Sequence, residues 1–88
     1  MNKESAILAL AALLPTLVES DIPFKHTAPQ TFVYLGLRAA GVLQDLDDWY
    51  WLLGLARKMG YVTHTSETVT LTEAGVEIAN QLNAILST

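Results

Sequence analysis

Residues 45–71, DLDDWYWLLGLARKMGYVTHTSETVTL, decide how the rest of the chain is read. Asp45 stands just before an apolar-periodic run. Asp47 and Asp48 fall in the first turn, where carboxylates favour the positive end of the helix macrodipole. Leu46, Trp49, Leu53 and Ala56 recur at helical spacing as an inward stripe, with Leu52 and Met59 on its shoulder. Arg57 and Lys58 close the last turn, and Gly60 supplies the residue that leaves the helix. Residues 61–65 and 68–71 are rich in β-branched side chains and are separated by Ser66 and Glu67, which predicts a hairpin. Thr72 then caps a further helix, with residues 70–73 as a competing capping box.

Toward the N-terminus, Asn2 can cap a first helix whose inward stripe is Ile7, Leu10, Leu14, Leu17 and Val18, with Leu13 beside them. Pro15 removes one backbone donor inside this run and crowds the carbonyl of Ala11, so a kink or break is expected near Ala12. Residues 22–26 read as a short extended piece that could pair with the hairpin, because a residue before proline is biased to extended geometry. Thr27, three residues before Gln30, with Pro29 in the first turn, reads as a capping-box helix start. That second helix is expected to run to Ala40 and to bury Phe32, Leu35, Gly36 and Ala39, leaving Gln30, Tyr34 and Arg38 on its other side. Gly41 ends it, and the link 42–44 is short enough to force a sharp crossing into the next helix. On the last helix Ile78, Leu82, Ile85 and Leu86 share one face, beside Gly75 and Ala79.

At 88 residues the chain is read as one domain, 1–88, mainly α with a small β-hairpin. Hydrophobic residues make up 51% and charged residues 16%, more apolar side chain than one small core hides, so a self-association or partner face is expected. The net charge of −4 argues against non-specific affinity for nucleic acid. The absence of cysteine excludes disulfide and thiolate chemistry and suits a reducing compartment. The apolar run 6–18 is too short to span a bilayer, Glu4 does not fit a positive leader, and no small-residue cleavage site follows. A cytoplasmic protein without membrane contact is therefore expected.

The stretch from Leu52 to Gly75 resembles a winged helix-turn-helix domain, similar to those of bacterial repressors of the multiple-antibiotic-resistance type. The resemblance rests on a leucine-patterned helix ending in Arg57, Lys58, Met59, Gly60, Tyr61 and Val62, and on the hairpin. It rests also on residues 69–75, VTLTEAG, which match the hydrophobic-Leu-Thr-x-x-Gly passage with which such wings rejoin a helix. It implies the order helix, helix-turn-helix, wing hairpin, C-terminal helix. It also implies that the exposed stripe of the motif's second helix enters the major groove and that the wing tip meets the DNA backbone or minor groove. Carried over by position, the stripe is Asp47, Trp51, Gly54 and Lys58, and the tip is Thr65, Ser66, Glu67 and Thr68. Here the chain departs from the pattern. A groove-reading helix presents Arg, Lys, Asn, Gln, Ser or Thr, whereas this one offers two aspartates and a tryptophan, with a glutamate on the wing.

Three functions follow as expectations. The first is a module that works by protein contact, as a homodimer in a regulatory complex. Asp47, Trp51, Gly54 and Lys58 would then meet the partner, and Ile78, Leu82, Ile85 and the flank of the first helix would meet a second copy. The second is a DNA-binding transcriptional regulator using a basic cluster of Lys25, Arg38, Arg57 and Lys58, with Gln30, Thr63, Thr65 and Thr68 as polar donors; only charges within about a Debye length, ~10 Å at 0.1 M salt, would count. The third is an acidic inhibitor seated in the basic groove of a nucleic-acid-binding protein.

Catalysis is not expected. Asp45, Asp47 and Asp48 read as helix-capping carboxylates rather than metal ligands, since helical positions two apart do not converge. His26 and His64 lack companions at ligand spacing. No phosphate-binding glycine loop, nucleophile elbow or His-Glu-x-x-His pattern is present, so neither an enzyme nor a cofactor is expected.

Overall fold

The computed structural model describes residues 3–21 and 24–86. Among these residues, four helices, α1 (Lys3–Val18), α2 (Gln30–Ala39), α3 (Leu46–Lys58) and α4 (Glu73–Leu86), pack about a small sheet of β1 (Thr27–Pro29), β2 (Val62–His64) and β3 (Thr68–Leu71). The sheet is antiparallel with order β1-β3-β2, so β3 is central. Val62 pairs with Leu71 and His64 with Val69 on one edge, while Thr27 pairs with Thr70 and Pro29 with Thr68 on the other.

The local signals of α3 are realised as the sequence implies. Asp45 Oδ1 accepts from the Asp48 amide at 3.0 Å, and Asp48 Oδ2 accepts from the Gln44 amide at 3.1 Å. Asp45 thus caps the helix, and Asp48 reaches back past it to the amide of the preceding residue rather than closing a reciprocal capping box. Trp49, Leu52, Leu53 and Ala56 are buried, whereas Leu46 and Met59, expected in the stripe and on its shoulder, are half exposed. Gly60 leaves the helix at φ +81°, a left-handed conformation that glycine adopts without Cβ strain. In the hairpin turn the Thr65 hydroxyl accepts from the amides of Glu67 and Thr68, which closes the loop. The Thr72 hydroxyl accepts from the Gly75 amide at 3.1 Å and donates to the Gly60 carbonyl at 2.6 Å, so the cap of α4 is also tied to the end of α3.

α1 packs chiefly against α4. Ala6 and Ala9 on α1 and Ala79 on α4 are buried, small side chains that let helix axes approach closely, while Gly75 on α4 lies against the Tyr61 carbonyl and Leu71. Leu13, Leu14 and Leu17 are buried as expected, with Leu10 and Val18 partly so. Ile7 is not: it is 57% exposed, because the alanines rather than the larger residues of that turn face inward. The helix runs unbroken through Pro15. Burial of Leu14 and Leu17 on either side of the proline offsets the single hydrogen bond it removes. Asn2 lies outside the described residues.

Two expectations near the second helix are corrected. The extended segment that pairs with the hairpin is β1 at 27–29; of residues 22–26, Phe24, Lys25 and His26 form a turn, with His26 at φ +60°, and Ile22 and Pro23 lie outside the described residues. Consequently residues 27–30 are no capping box. Thr27 is 1% exposed, and its hydroxyl pairs with that of Thr70 at 2.8 Å. Pro29 occupies the N-cap position without a side-chain cap, and α2 begins at Gln30. Burying Thr27 and Ala28 against β3 and completing a backbone ladder outweighs two capping bonds of about 1 kcal/mol each.

The buried face of α2 is the other correction. Val33 and Leu37 are buried and Tyr34 half-buried, whereas Phe32 is 69% and Leu35 52% exposed, with Gly36 and Ala39 also in solvent. The phase is set at the first residue of the helix. Gln30 is held by both the hairpin and Trp49, so the positions three, four and seven residues later turn inward with it.

Candidate interaction face

α3 presents Asp47, Trp51 and Lys58 outward, with Gly54 half-buried between them. Trp51 is 43% exposed, and Tyr50 beside it 59%. Among the described residues, nothing beyond the helix's own backbone lies within 4 Å of where a Cβ on Gly54 would point, so the middle of the stripe is open to close approach. Along the flank toward α2, Leu35, Leu46 and Tyr50 border a cleft of about 320 Å3, with Thr31 and Ser66 at its margins. Trp49 and Tyr34 also line it, their rings tilted at 58° with centroids 6.5 Å apart. The face is therefore apolar and aromatic, with Asp47 at one end and Arg57 and Lys58 at the other.

The hairpin tip does not stand clear of this face. The Gln30 amide donates to the Glu67 carbonyl at 2.8 Å, and the Gln30 side chain donates to the Thr65 carbonyl while accepting from Trp49 Nε1 at 3.2 Å. The Thr65 and Thr68 hydroxyls bond each other at 3.0 Å. These contacts fold the tip against the start of α2 and occupy the polar donors that the DNA reading assigned to Gln30, Thr65 and Thr68. Thr63 on β2 is exposed.

The basic side chains occupy separate places. Lys25 borders a surface cleft with His26, Thr72 and Glu73 at the start of α4. Arg38 donates to the Tyr34 hydroxyl at 3.5 Å and shares another cleft with Asp45 and Asp47. Arg57 and Lys58 are adjacent and exposed at the end of α3. Two of these three groups thus lie beside carboxylates, which weakens their field toward phosphate.

Of the residues expected to pair two copies, Ile78 and Leu82 pack partly against the chain's own core. Ile85 is 68% exposed, as are Ile7 at 57% and Leu8 at 70% on α1. The side chain of Leu86 lies outside the described residues. His26 Nδ1 lies 3.2 Å from the Val18 carbonyl and His64 Nδ1 3.3 Å from that of Thr65. Among the described residues no three His, Asp or Glu side chains converge as a metal site, and no helix is long and apolar enough to cross a membrane.

Sequence reasoning placed the outer stripe of α3 but missed Gln30, Leu35, Leu46 and Tyr50 as members of the same face. Periodicity places Leu35 and Leu46 in buried stripes; the bonds of Gln30 to the hairpin and to Trp49 set the helix phase that exposes Leu35. Compared with protein-family models, with curated proteins and with solved structures, the chain finds no match.

Proposed function

We propose that the chain is a small intracellular winged helix-turn-helix module that acts through protein contacts in a regulatory complex, as a homodimer. The order helix, helix-turn-helix, hairpin, helix supports the fold reading. The observation that carries the functional reading is the face of α3 and its flank. Where a groove reader needs cations and amides, this chain sets Asp47, Trp51, Tyr50 and Leu46, and its hairpin tip is bonded to α2. Exposed aromatic side chains next to an open glycine are the composition of a protein-contact anchor.

Titration of a fluorescently labelled random-sequence duplex at low and physiological salt tests this reading. The expected result is no binding at micromolar protein. Binding that collapses with added salt, and is lost in Arg57→Ala/Lys58→Ala, would instead establish the rival DNA-binding regulator, for which the exposed Arg57 and Lys58 pair is the supporting feature.

A further inference from the structure

α2 is apolar on two sides. Val33 and Leu37 serve the core; opposite them Phe32, Leu35, Gly36 and Ala39 recur at i, i+3, i+4 and i+7, every one of them exposed. This outer stripe is ordered by size, with two large side chains in its first half and two small ones in its second. Among the described residues, nothing beyond the helix's own backbone lies within 4 Å of where a Cβ on Gly36 would point.

We propose that this stripe is where two copies of the chain meet, α2 packing antiparallel on α2 of the second copy about a two-fold axis between positions 35 and 36. In that register Phe32 lies over the partner's Ala39, and Leu35 over the partner's Gly36, so each large side chain enters the space left by a small one. A two-fold interface must be self-complementary, and an antiparallel pairing of this stripe is. A parallel pairing would set Phe32 on Phe32 and leave Gly36 and Ala39 facing a gap. Arg38, the single charged residue of α2, lies off this stripe, and the antiparallel register keeps it at a different level from its own copy.

The stripe continues through Leu35 into Leu46 and Tyr50. Taking ~150–250 Å2 for a large side chain, the exposed fractions of Phe32, Leu35, Leu46 and Tyr50 leave on the order of 400 Å2 of apolar surface, the size at which a patch marks a contact site. That is about half of the ~800 Å2 per partner of a standard stable interface. The dimer is accordingly a weak one, with dissociation in the micromolar range. This inference rests on the homodimer reading above and moves its contact from α4 to α2.

Sedimentation velocity of the full chain from about 1 to 500 μM, with the far-UV spectrum as a check on folding, tests it. Phe32→Ala leaves a gap and Ala39→Phe sets phenylalanine against phenylalanine, so each single change is expected to weaken the dimer at least tenfold. The double variant Phe32→Ala/Ala39→Phe exchanges large for small at paired positions and is expected to recover it. Leu35→Lys, on the same exposed stripe, is expected to abolish it and serves if either single variant fails to fold. Loss without recovery in the double variant overturns the register proposed. A dimer indifferent to all of these and dissolved by Ile7→Lys or Ile85→Lys overturns the α2 contact and leaves the homodimer reading standing. A monomer at every concentration overturns both.

Discussion

Trp49 Nε1 donates a hydrogen bond to Gln30 Oε1 at 3.2 Å, and the same glutamine amide donates to the Thr65 carbonyl at the hairpin tip. One side chain therefore joins the first residue of α2, the buried indole of α3 and the loop between β2 and β3. It fixes the phase of α2 and holds the hairpin against the motif.

Gln30→Ala should leave the indole N–H of Trp49, a residue only 2% exposed, without an acceptor, and should release the hairpin tip. An unsatisfied buried donor costs about 1–3 kcal/mol, and a loss in that range is expected from urea denaturation. The fluorescence of the folded protein should change with it, because one of its two tryptophans gains freedom. Unchanged stability would show that the tip is held by the backbone bond to Glu67 alone.

The Thr27 and Thr70 hydroxyls, 2.8 Å apart across β1 and β3, invite a double-mutant cycle. Thr27→Val takes the partner from the Thr70 hydroxyl and should cost about 1–2 kcal/mol, whereas Thr70→Val leaves the Thr27 hydroxyl its bond to the Lys25 carbonyl and should cost less. Replacing both should cost less than the sum of the two, since neither hydroxyl is then left unpaired. Strict additivity, measured by thermal denaturation, would mean that the pair contributes nothing as a pair.

Asp45 and Asp47 carry the same charge at the start of α3 but do different things. Asp45 accepts from the Asp48 amide, whereas Asp47 belongs to the outer stripe. Asp45→Ala should lower stability by about 1 kcal/mol, and Asp47→Ala should stay within ~0.5 kcal/mol of wild type. Equal effects in chemical denaturation would show that the macrodipole rather than the capping geometry dominates.

Gly75 and Gly54 both sit inside helices and should respond to alanine in opposite directions. A Cβ on Gly75 would overlap the Tyr61 carbonyl oxygen and come within 2.9 Å of Leu71 Cδ2, so Gly75→Ala should destabilise by about 3 kcal/mol or more. Gly54 has open space before it, and Gly54→Ala should stabilise by up to ~1 kcal/mol through helix propensity. Thermal midpoints of the two variants relative to wild type decide the matter.

The elements whose causes lie within a few residues can be read from the amino-acid order alone. Asp45 with Asp48, Gly60, the turn around Thr65 and the cap at Thr72 are all legible, because each is a bond between near neighbours or a conformation that one residue type prefers. The open, acidic and aromatic outer stripe of α3 was legible for the same reason. Once Trp49 and Leu53 face inward, the 3.6-residue period sends Asp47, Trp51 and Lys58 outward.

The strand at 27–29 and the buried face of α2 depend instead on contacts made in the folded chain. The segment QTFVYLGLRA carries two apolar stripes, one through Phe32 and Leu35 and one through Val33 and Leu37, and periodicity cannot choose between them. The choice is made by contacts between residues far apart in the chain: Gln30 with Thr65, 35 positions away, and Thr27 with Thr70, 43 positions away. Such long-range bonds leave no local signature. They turn one stripe into the core and leave the other, larger at one end and smaller at the other, on the surface.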